Sequence, residues 1–312
     1  MQSPLVSVVT VTYNSSKYVR DAIESVLAQG YENIEYIIGD DCSTDDTWSI
    51  IQQYRDPRII AYRNETNLRE YPNRNKAIGM ATGKYLQFID GDDVLFLNGI
   101  ETLVKMMEQF PEAGVAIQKN YCNNILFPAL FSTREVLLNH FYGTRDMLSS
   151  SFAANFFLAE PLKKWKLNTK FKSGDNEIRL RFASNFPVLF LAGWVSWPRE
   201  TPGQASSQLS VDDEILESFS YSNEVLGSIP GDIVEDGLKK DIHAKLEMQL
   251  SRYVLRLLFS GKALQAKQVL ANTGLRWTSI PRLAKFKPQF KDVLTDYSPA
   301  NPYKKDFLLT AN

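Results

Sequence analysis

The sequence predicts an α/β domain with a mainly parallel sheet, followed by a helical region. Two observations predict it. Over roughly the first 120 residues, short β-branched or aromatic runs alternate with stretches of helical periodicity, as in a wound parallel sheet. From about Ala205 the strand signal stops, and apolar residues recur only at helical spacing. The chain therefore divides into an α/β domain over 1–205 and an α-helical C-terminal region over 206–312.

The uncharged run Leu5-Val6-Ser7-Val8-Val9-Thr10-Val11 reads as a central strand. Val19, Ala22, Ile23, Val26 and Leu27 then recur on one helix face, with Ser15 and Ser16 as candidate caps and Gly30 as the stop. Residues 34–38 form a second strand that closes on Gly39-Asp40-Asp41, and Ser43, Thr44 and Asp45 open a second helix, ended by Asp56-Pro57. A third strand covers 59–62 and a helix lies near 74–81, broken by Gly83 before the strand 85–89. A helix over 98–110 and a strand at 115–117 follow, separated by Pro111 and Gly114. In the C-terminal region Ile242, Leu246, Leu250, Tyr253 and Leu257 space as one helix face, and Ala263, Ala266, Val269 and Leu270 as another.

Composition removes several classes of function. With 44% hydrophobic and 23% charged residues, the 312-residue chain is an ordinary globular one, and its net charge of −1 gives no footprint for nucleic acid. The two cysteines, Cys42 and Cys122, have no paired spacing, so they form neither a disulfide framework nor a zinc site and fit a reducing compartment. No basic-then-apolar leader opens the chain, and its longest apolar stretch, 186–197, is too short for a bilayer span and contains Pro187. The expected location is cytoplasmic. Dinucleotide binding is disfavoured because no G-x-G-x-x-G follows the first strand, and the phosphate-loop-like Gly79-Met80-Ala81-Thr82-Gly83-Lys84 lies between helix and strand in the wrong order.

The chemistry concentrates in Phe88-Ile89-Asp90-Gly91-Asp92-Asp93, an apolar strand that runs into three carboxylates. Like charges so close raise one another's pKa unless a cation sits among them, and hard oxygen donors on a short turn suit Mg2+ or Mn2+ completed by a phosphate. Gly91 leaves room for a ligand to approach. The competing reading is a polar strand end that caps the next helix. In a parallel sheet, ligands bind beyond the carboxyl ends of the strands, which puts Thr12-Tyr13-Asn14, Asp40-Asp41 and Asp90-Gly91-Asp92 on one rim.

Val6-Ser7-Val8-Val9-Thr10-Val11-Thr12-Tyr13-Asn14, Asp40-Asp41-Cys42-Ser43-Thr44-Asp45, Asn73-Arg74-Asn75 and Phe88-Ile89-Asp90-Gly91-Asp92-Asp93 together resemble the family 2 inverting glycosyltransferases. That family has the GT-A fold, a Rossmann-like nucleotide-diphospho-sugar transferase architecture. The resemblance is dense over roughly the first 120 residues and thinner to about 205. It implies that Thr12 and Tyr13 hold a base, that Asp41 accepts its ring N–H, and that Asp40 supports the turn. Cys42 replaces a glycine common in the family. Arg74 reaches toward the donor, Asp90 touches the ribose or metal, and Asp92 ligates the metal, a role that Asp93 could share.

Inverting transfer also needs a base to take the acceptor's proton. Lys172-Ser173-Gly174-Asp175-Asn176-Glu177-Ile178-Arg179-Leu180-Arg181-Phe182-Ala183 resembles the family's base segment, with Asp175 in the aspartate's place, Glu177 as fallback and Gly174 where an acidic residue usually stands. Asp175 also reads as an N-cap. Arg199 resembles an arginine that closes over the diphosphate, and Thr201 occupies a position usually held by histidine.

The implied donor is a nucleotide-sugar, UDP-sugar by family frequency, with Mn2+ or Mg2+. The implied acceptor is a glycan or lipid-linked oligosaccharide in surface polysaccharide synthesis. The aromatic residues between 121 and 170, among them Phe127, Phe131, Phe152, Phe156, Phe157 and Trp165, either stack on an acceptor or fill a core. Basic residues from Lys239 to Lys291, opposed only by Asp241 and Glu247, read either as solvated helix faces or as peripheral membrane contact helped by Trp277 and Phe286. A silent nucleotide-sugar-binding subunit of an assembly complex is the rival reading, kept open by Gly174 and Thr201.

Overall fold

The computed structural model describes residues 3–119, 128–143, 147–193, 195–199, 201, 210–283, 285 and 287–290. The strands are β1 (Val6–Thr12), β2 (Ile34–Asp40), β3 (Ile59–Arg63), β4 (Tyr85–Phe88), β5 (Val94–Leu95), β6 (Val115–Lys119), β7 (Ala129–Phe131), β8 (Asn155–Leu158), β9 (Val188–Ala192) and β10 (Ser196–Trp197). Among the described residues, eight of them form one sheet in the order β3-β2-β1-β4-β8-β6-β9-β7, and β5 pairs with β10 in a separate ribbon. Neighbours from β3 to β4 are parallel, as are β6 and β9. The sheet is thus mainly parallel, with β8 inserted antiparallel between β4 and β6, and β7 antiparallel on the edge.

Alternate residues of the central strands feed two cores. Val8, Tyr36 and Ile38 pack on one face with α1 (Val19–Leu27), α2 (Thr47–Ile51) and α4 (Gly99–Gln109). Val9, Ile37 and Phe88 pack on the other with α3 (Glu70–Met80), α5 (Thr133–Tyr142), α6 (Ala159–Trp165) and α7 (Gly174–Ala183). This two-sided burial explains the uncharged β1 run: neither side of the strand meets water.

The helices α8 (Val211–Ser228), α9 (Asp236–Phe259), α10 (Ala263–Thr273) and α11 (Ile280–Leu283) belong to the second core, where Phe219, Val225, Leu246 and Val254 join the residues of α3 and α7. Among the described residues, no helix is long and apolar enough to cross a membrane.

Several local expectations change. Ser15 and Ser16 do not cap α1 with their side chains; the Ser15 carbonyl accepts from Tyr18 and Val19 N–H instead. Asp45 does secure the start of α2, accepting from the Thr47 N–H at 3.0 Å. Helix α3 starts at Glu70, earlier than the 74–81 spacing indicated, because Arg69 takes a positive φ of 72° that turns the chain into it.

The aromatic segment resolves largely toward the core: Phe131, Phe152, Phe156 and Phe157 are buried. Phe127 lies outside the described residues.

Candidate active site

The loops that leave β1, β2 and β4 meet at one rim. Thr12 lies opposite Asp40 in the parallel register, and their side chains are 3.3 Å apart. A Cβ on Gly91 would stand 2.8 Å from Thr12 Cγ2 and 3.2 Å from Ser15 Oγ. The glycine is therefore needed for the acidic loop to pack on the end of β1. Tyr13, 49% exposed, stands out from this rim.

Asp40 is fully buried and accepts from the Ser43 backbone at 3.1 Å and its hydroxyl at 2.5 Å, with Arg63 at 3.3 Å, so it supports the turn. Asp41 accepts from Asn64 Nδ2 (2.8 Å) and from the N–H groups of Leu68 (2.9 Å) and Arg69 (2.8 Å), which folds the 64–69 loop against the end of β2. An ionised carboxylate offers about four lone-pair sites, so capacity for one further donor remains. Cys42 between these contacts holds a positive φ of 63°, the backbone state that makes glycine the residue of least strain there.

The carboxylates after β4 are held in three different ways. Asp90 receives a charge-assisted hydrogen bond from Arg74 Nη2, Asp92 accepts from the Thr201 hydroxyl at 2.7 Å, and Asp93 accepts from the Arg199 N–H at 3.0 Å. Burial, then the neighbouring Asp90 and Asp92, push the Asp93 carboxyl up to about 7. Like charges packed this closely are the condition a bound cation relieves.

Among the described residues, no three His, Cys, Asp or Glu side chains form a metal cage. The donor set instead fits Mg2+ or Mn2+ held by one or two carboxylates and completed by phosphate oxygens and water. His140 and His243 sit on α5 and α9, and His243 bonds Asn223.

Arg74 is 2% exposed, sandwiched against Phe152 (4.7 Å) and Phe88 (5.4 Å), and bonds Glu70 as well as Asp90. Its Nε and Nη2 bond the acidic rim, while Nη1 is buried without a hydrogen-bond partner among the described residues. Burial raises the Glu70 pKa, and the charges of Asp90 and Asp175 add to that rise against the opposing Arg74. Arg199 points its guanidinium at Asp21 of α1 (2.8 Å) and stacks over Tyr18 and Trp197. Its backbone N–H reaches the acidic cluster through Asp93.

Asp175 lies in the first turn of α7, where its Oδ2 accepts from Arg179 at 2.8 Å and its Oδ1 lies 3.2 Å from the Tyr71 hydroxyl. Burial would raise its pKa, but the Arg179 charge and the hydrogen bonds of Arg179, Tyr71 and the Asn176 N–H outweigh that, and the net shift is downward. Asp175 is not the N-cap; Ser173 is, and Glu217 of α8 takes its N–H (2.9 Å), its hydroxyl (2.6 Å) and the Lys172 N–H (2.8 Å). Glu177, the fallback base, is fully buried and paired with Arg181, so no acceptor can reach it.

A sequence model for glycosyl transferase family 2 matches residues 7–184, more than half the chain, and spans the loops after β1, β2 and β4 and the whole of α7, with Arg199 and Thr201 beyond it. The chain belongs to glycosyl transferase family 2.

Over 121 residues, 38% of its length, it is 41% identical to the Escherichia coli UDP-Glc:alpha-D-GlcNAc-diphosphoundecaprenol beta-1,3-glucosyltransferase WfaP, covering 48% of that protein. Over 106 residues, 33% of its length, it is 43% identical to the putative teichuronic acid biosynthesis glycosyltransferase TuaG of Bacillus subtilis, covering 42% of it. The matched part thus spans under half of these curated relatives. Among solved structures, S. aureus TarS 1-349 in complex with UDP-GlcNAc superposes with a TM-score of 0.64 at 19% identity, over 90% of this chain and 86% of that one. The mannosyltransferase PcManGT of Pyrobaculum calidifontis, in complex with GDP-Man and Mn2+, gives 0.55 at 16% identity, over 91% and 86%. At these identities the likeness establishes the shared GT-A fold.

The neighbourhood of Asp175 draws on three elements, α3, α7 and α8. Tyr71, Glu70, Arg179 and Glu217 shape that neighbourhood, and sequence reasoning passed over all four. Tyr71 and Glu70 sit one turn before the recognised Asn73-Arg74-Asn75, and that position on the same helix was the one signal available.

Proposed function

We propose that the protein is an inverting glycosyltransferase that moves a sugar from a nucleotide-diphosphate donor, UDP-sugar first, to a hydroxyl of a glycan or lipid-linked oligosaccharide. One observation carries the reading. Two separate carboxylate centres, Asp90-Asp92-Asp93 after β4 and Asp175 at the start of α7, are joined along one side of helix α3 by Asp90–Arg74–Glu70 contacts and the adjacent Tyr71–Asp175 contact. A single displacement needs this division: one centre for the departing diphosphate and another for the attacking hydroxyl.

Asp175, ionised because its pKa is lowered, takes the proton of the acceptor hydroxyl as that oxygen attacks the anomeric carbon. Thr12, Tyr13 and Asp41 receive the nucleobase, with the exposed Tyr13 ring as the stacking face. Arg74 holds Asp90 in place, and Asp90 and Asp92 are the carboxylates that would hold a divalent ion, with Asp93 next in the chain. Mn2+ or Mg2+ held there would neutralise charge that develops on the leaving diphosphate. Arg199 contributes by holding the Asp93 side of the loop through its backbone.

The printed activity of WfaP and the UDP-GlcNAc bound to TarS support a UDP-sugar donor, and the Mn2+ of PcManGT supports a divalent ion. WfaP's diphosphoundecaprenol acceptor supports a lipid-linked one, met at the cytoplasmic face of a membrane. Exposed Arg256, Lys262, Lys267 and Arg276, beside Phe259 at 89% and Leu264 at 73% exposure, supply a surface for that contact. Lys239 and Lys245 do not take part in it, because they bond the Ile229 and Phe141 carbonyls. Phe286 and Lys291 lie outside the described residues.

Thermal unfolding with UDP, GDP, CDP or dTDP, each with and without Mn2+, tests the reading. A ligand at a hundred times its dissociation constant adds about 2.7 kcal/mol. A Mn2+-dependent shift with UDP, lost in Asp92→Asn, is the expected result; no shift with any nucleotide sinks the reading.

A further inference from the structure

Gly174 stands where the resemblance to family 2 places an acidic residue, and the structure shows what lies beside it. A Cβ at 174 would stand 2.8 Å from the Asn168 carbonyl oxygen and 3.2 and 3.3 Å from the Tyr71 ring, so the ring occupies the place of the absent side chain. The Tyr71 hydroxyl, on helix α3, then reaches the residue that follows. It lies 3.2 Å from Asp175 Oδ1 and 2.9 Å from the Lys172 carbonyl, and it accepts from the Asp175 N–H at 3.4 Å. The Lys172 carbonyl and Asp175 Oδ1 are both within reach of its single proton, the carbonyl being the nearer.

We propose that Tyr71 is the positioning residue for the base: together with Arg179 it holds the Asp175 carboxylate in the ionised, forward-facing state, in place of the side chain that Gly174 lacks. The inference rests on the reading of Asp175 as the base. Tyr71 is 9% exposed, and its ring fills space that no water can reorder. Burial and the charge of Asp175 push its phenol pKa up, so it remains a donor throughout the working range. Arg179 is 1% exposed and spends Nη2 on Asp175 and Asn176.

The other charges around Asp175 are Glu70 and Arg74 on α3, with Asp90 behind them, and Glu217 on α8. Lys172 in the preceding loop turns its ammonium to Asp213 instead. Arg179 alone would give Asp175 its charge partner but leave Oδ1 free to rotate. The tyrosine fixes the second oxygen and ties the base to the same helix that carries Arg74, so that base and acidic rim keep one spacing.

The test is Tyr71→Phe in the full-length protein, which keeps the ring and removes the hydroxyl. Loss of a donor to an ionised carboxylate raises its pKa, so the acid limb of turnover should move up by about one pH unit. Turnover is read as UDP release from UDP-glucose or UDP-GlcNAc. Asp175 is followed independently by carboxyl-13C aspartate NMR, its signal assigned as the one missing in Asp175→Asn, and its midpoint should rise by the same amount. Nucleotide binding, from the UDP-induced thermal shift, should not change. Gly174→Ala, whose Cβ would crowd the Asn168 carbonyl at 2.8 Å and the Tyr71 ring at 3.2 Å, should move the midpoint in the same direction.

An unchanged NMR midpoint in Tyr71→Phe overturns the inference, whatever happens to activity. If the midpoint moves but Asp175→Asn retains turnover, the base assignment fails while the contact stands. If Asp175→Asn is inactive and both the acid limb and the midpoint of Tyr71→Phe match the parent, the base assignment stands and the role of Tyr71 fails.

Discussion

At the residue scale, the rim is built from backbone states and buried carboxylates more than from free side chains. Cys42 illustrates the point. Its φ of 63° places an L-residue in the left-handed region, where a Cβ crowds the neighbouring carbonyl, at a cost of about 1 kcal/mol. The thiol recovers little, with only a 3.4 Å contact to the Glu65 carbonyl. Cys42→Gly is therefore expected to raise stability in urea by about 0.5–1 kcal/mol and to leave nucleotide binding intact. A loss of stability would mean that the thiol contact outweighs the strain. The sequence exposed the Cys-for-Gly departure, but only the dihedral shows which way it acts.

Arg74 and Arg199 teach a related lesson: a motif locates a guanidinium but not its partner. Arg74 turned out to hold Asp90 and Glu70, and Arg199 to hold Asp21. Pairing depends on which carboxylates the fold brings within about 3 Å, and residues up to 178 positions apart in sequence decide it.

At the scale of elements, the informative case is α7, the helix that carries Asp175. The approach to it is secured by Glu217, a residue of α8, which accepts from the Lys172 and Ser173 N–H groups and from the Ser173 hydroxyl. Buried donors cost stability when they lose their acceptor, and here that acceptor comes from a different element. Glu217→Ala should lower stability by about 1–2 kcal/mol and slow turnover, whereas Glu214→Ala, exposed on the same helix, should stay within about 0.5 kcal/mol of the parent. Equal effects from the two variants would remove this role of Glu217. Strand β8 makes the converse point. Its Asn155-Phe156-Phe157-Leu158 run is short and apolar on both sides, so periodicity alone could not separate a strand from a core helix turn. Pairing with β4 and β6 settles it.

At the scale of the whole molecule, α8–α10 are part of the core on one face of the sheet. Val225, Leu246 and Val254 are buried in the same cluster as Ile78 of α3 and Ile178 of α7. Removing them would expose the apolar side of α3 and α7 to water, at about 25 cal/mol per Å2 uncovered. A chain ending at residue 209 is thus expected to aggregate or to melt without cooperativity, while the full chain unfolds in one transition by circular dichroism and tryptophan fluorescence alike. A soluble, cooperatively melting truncation would instead establish an autonomous α/β domain over 1–205.

The sequence alone determined the alternation of strands and helices, the rim of Thr12, Asp40-Asp41 and Asp90-Asp92, and the family. These follow from local periodicity and from motifs of adjacent residues, which are encoded within a few positions of the chain. The tertiary structure alone decided that the C-terminal helices complete the core, that β8 divides the parallel strands, and that Tyr71 fills the space of Gly174. Each of those facts is a contact between residues dozens of positions apart, and such contacts exist only once burial of both faces of the sheet has fixed where every helix lies.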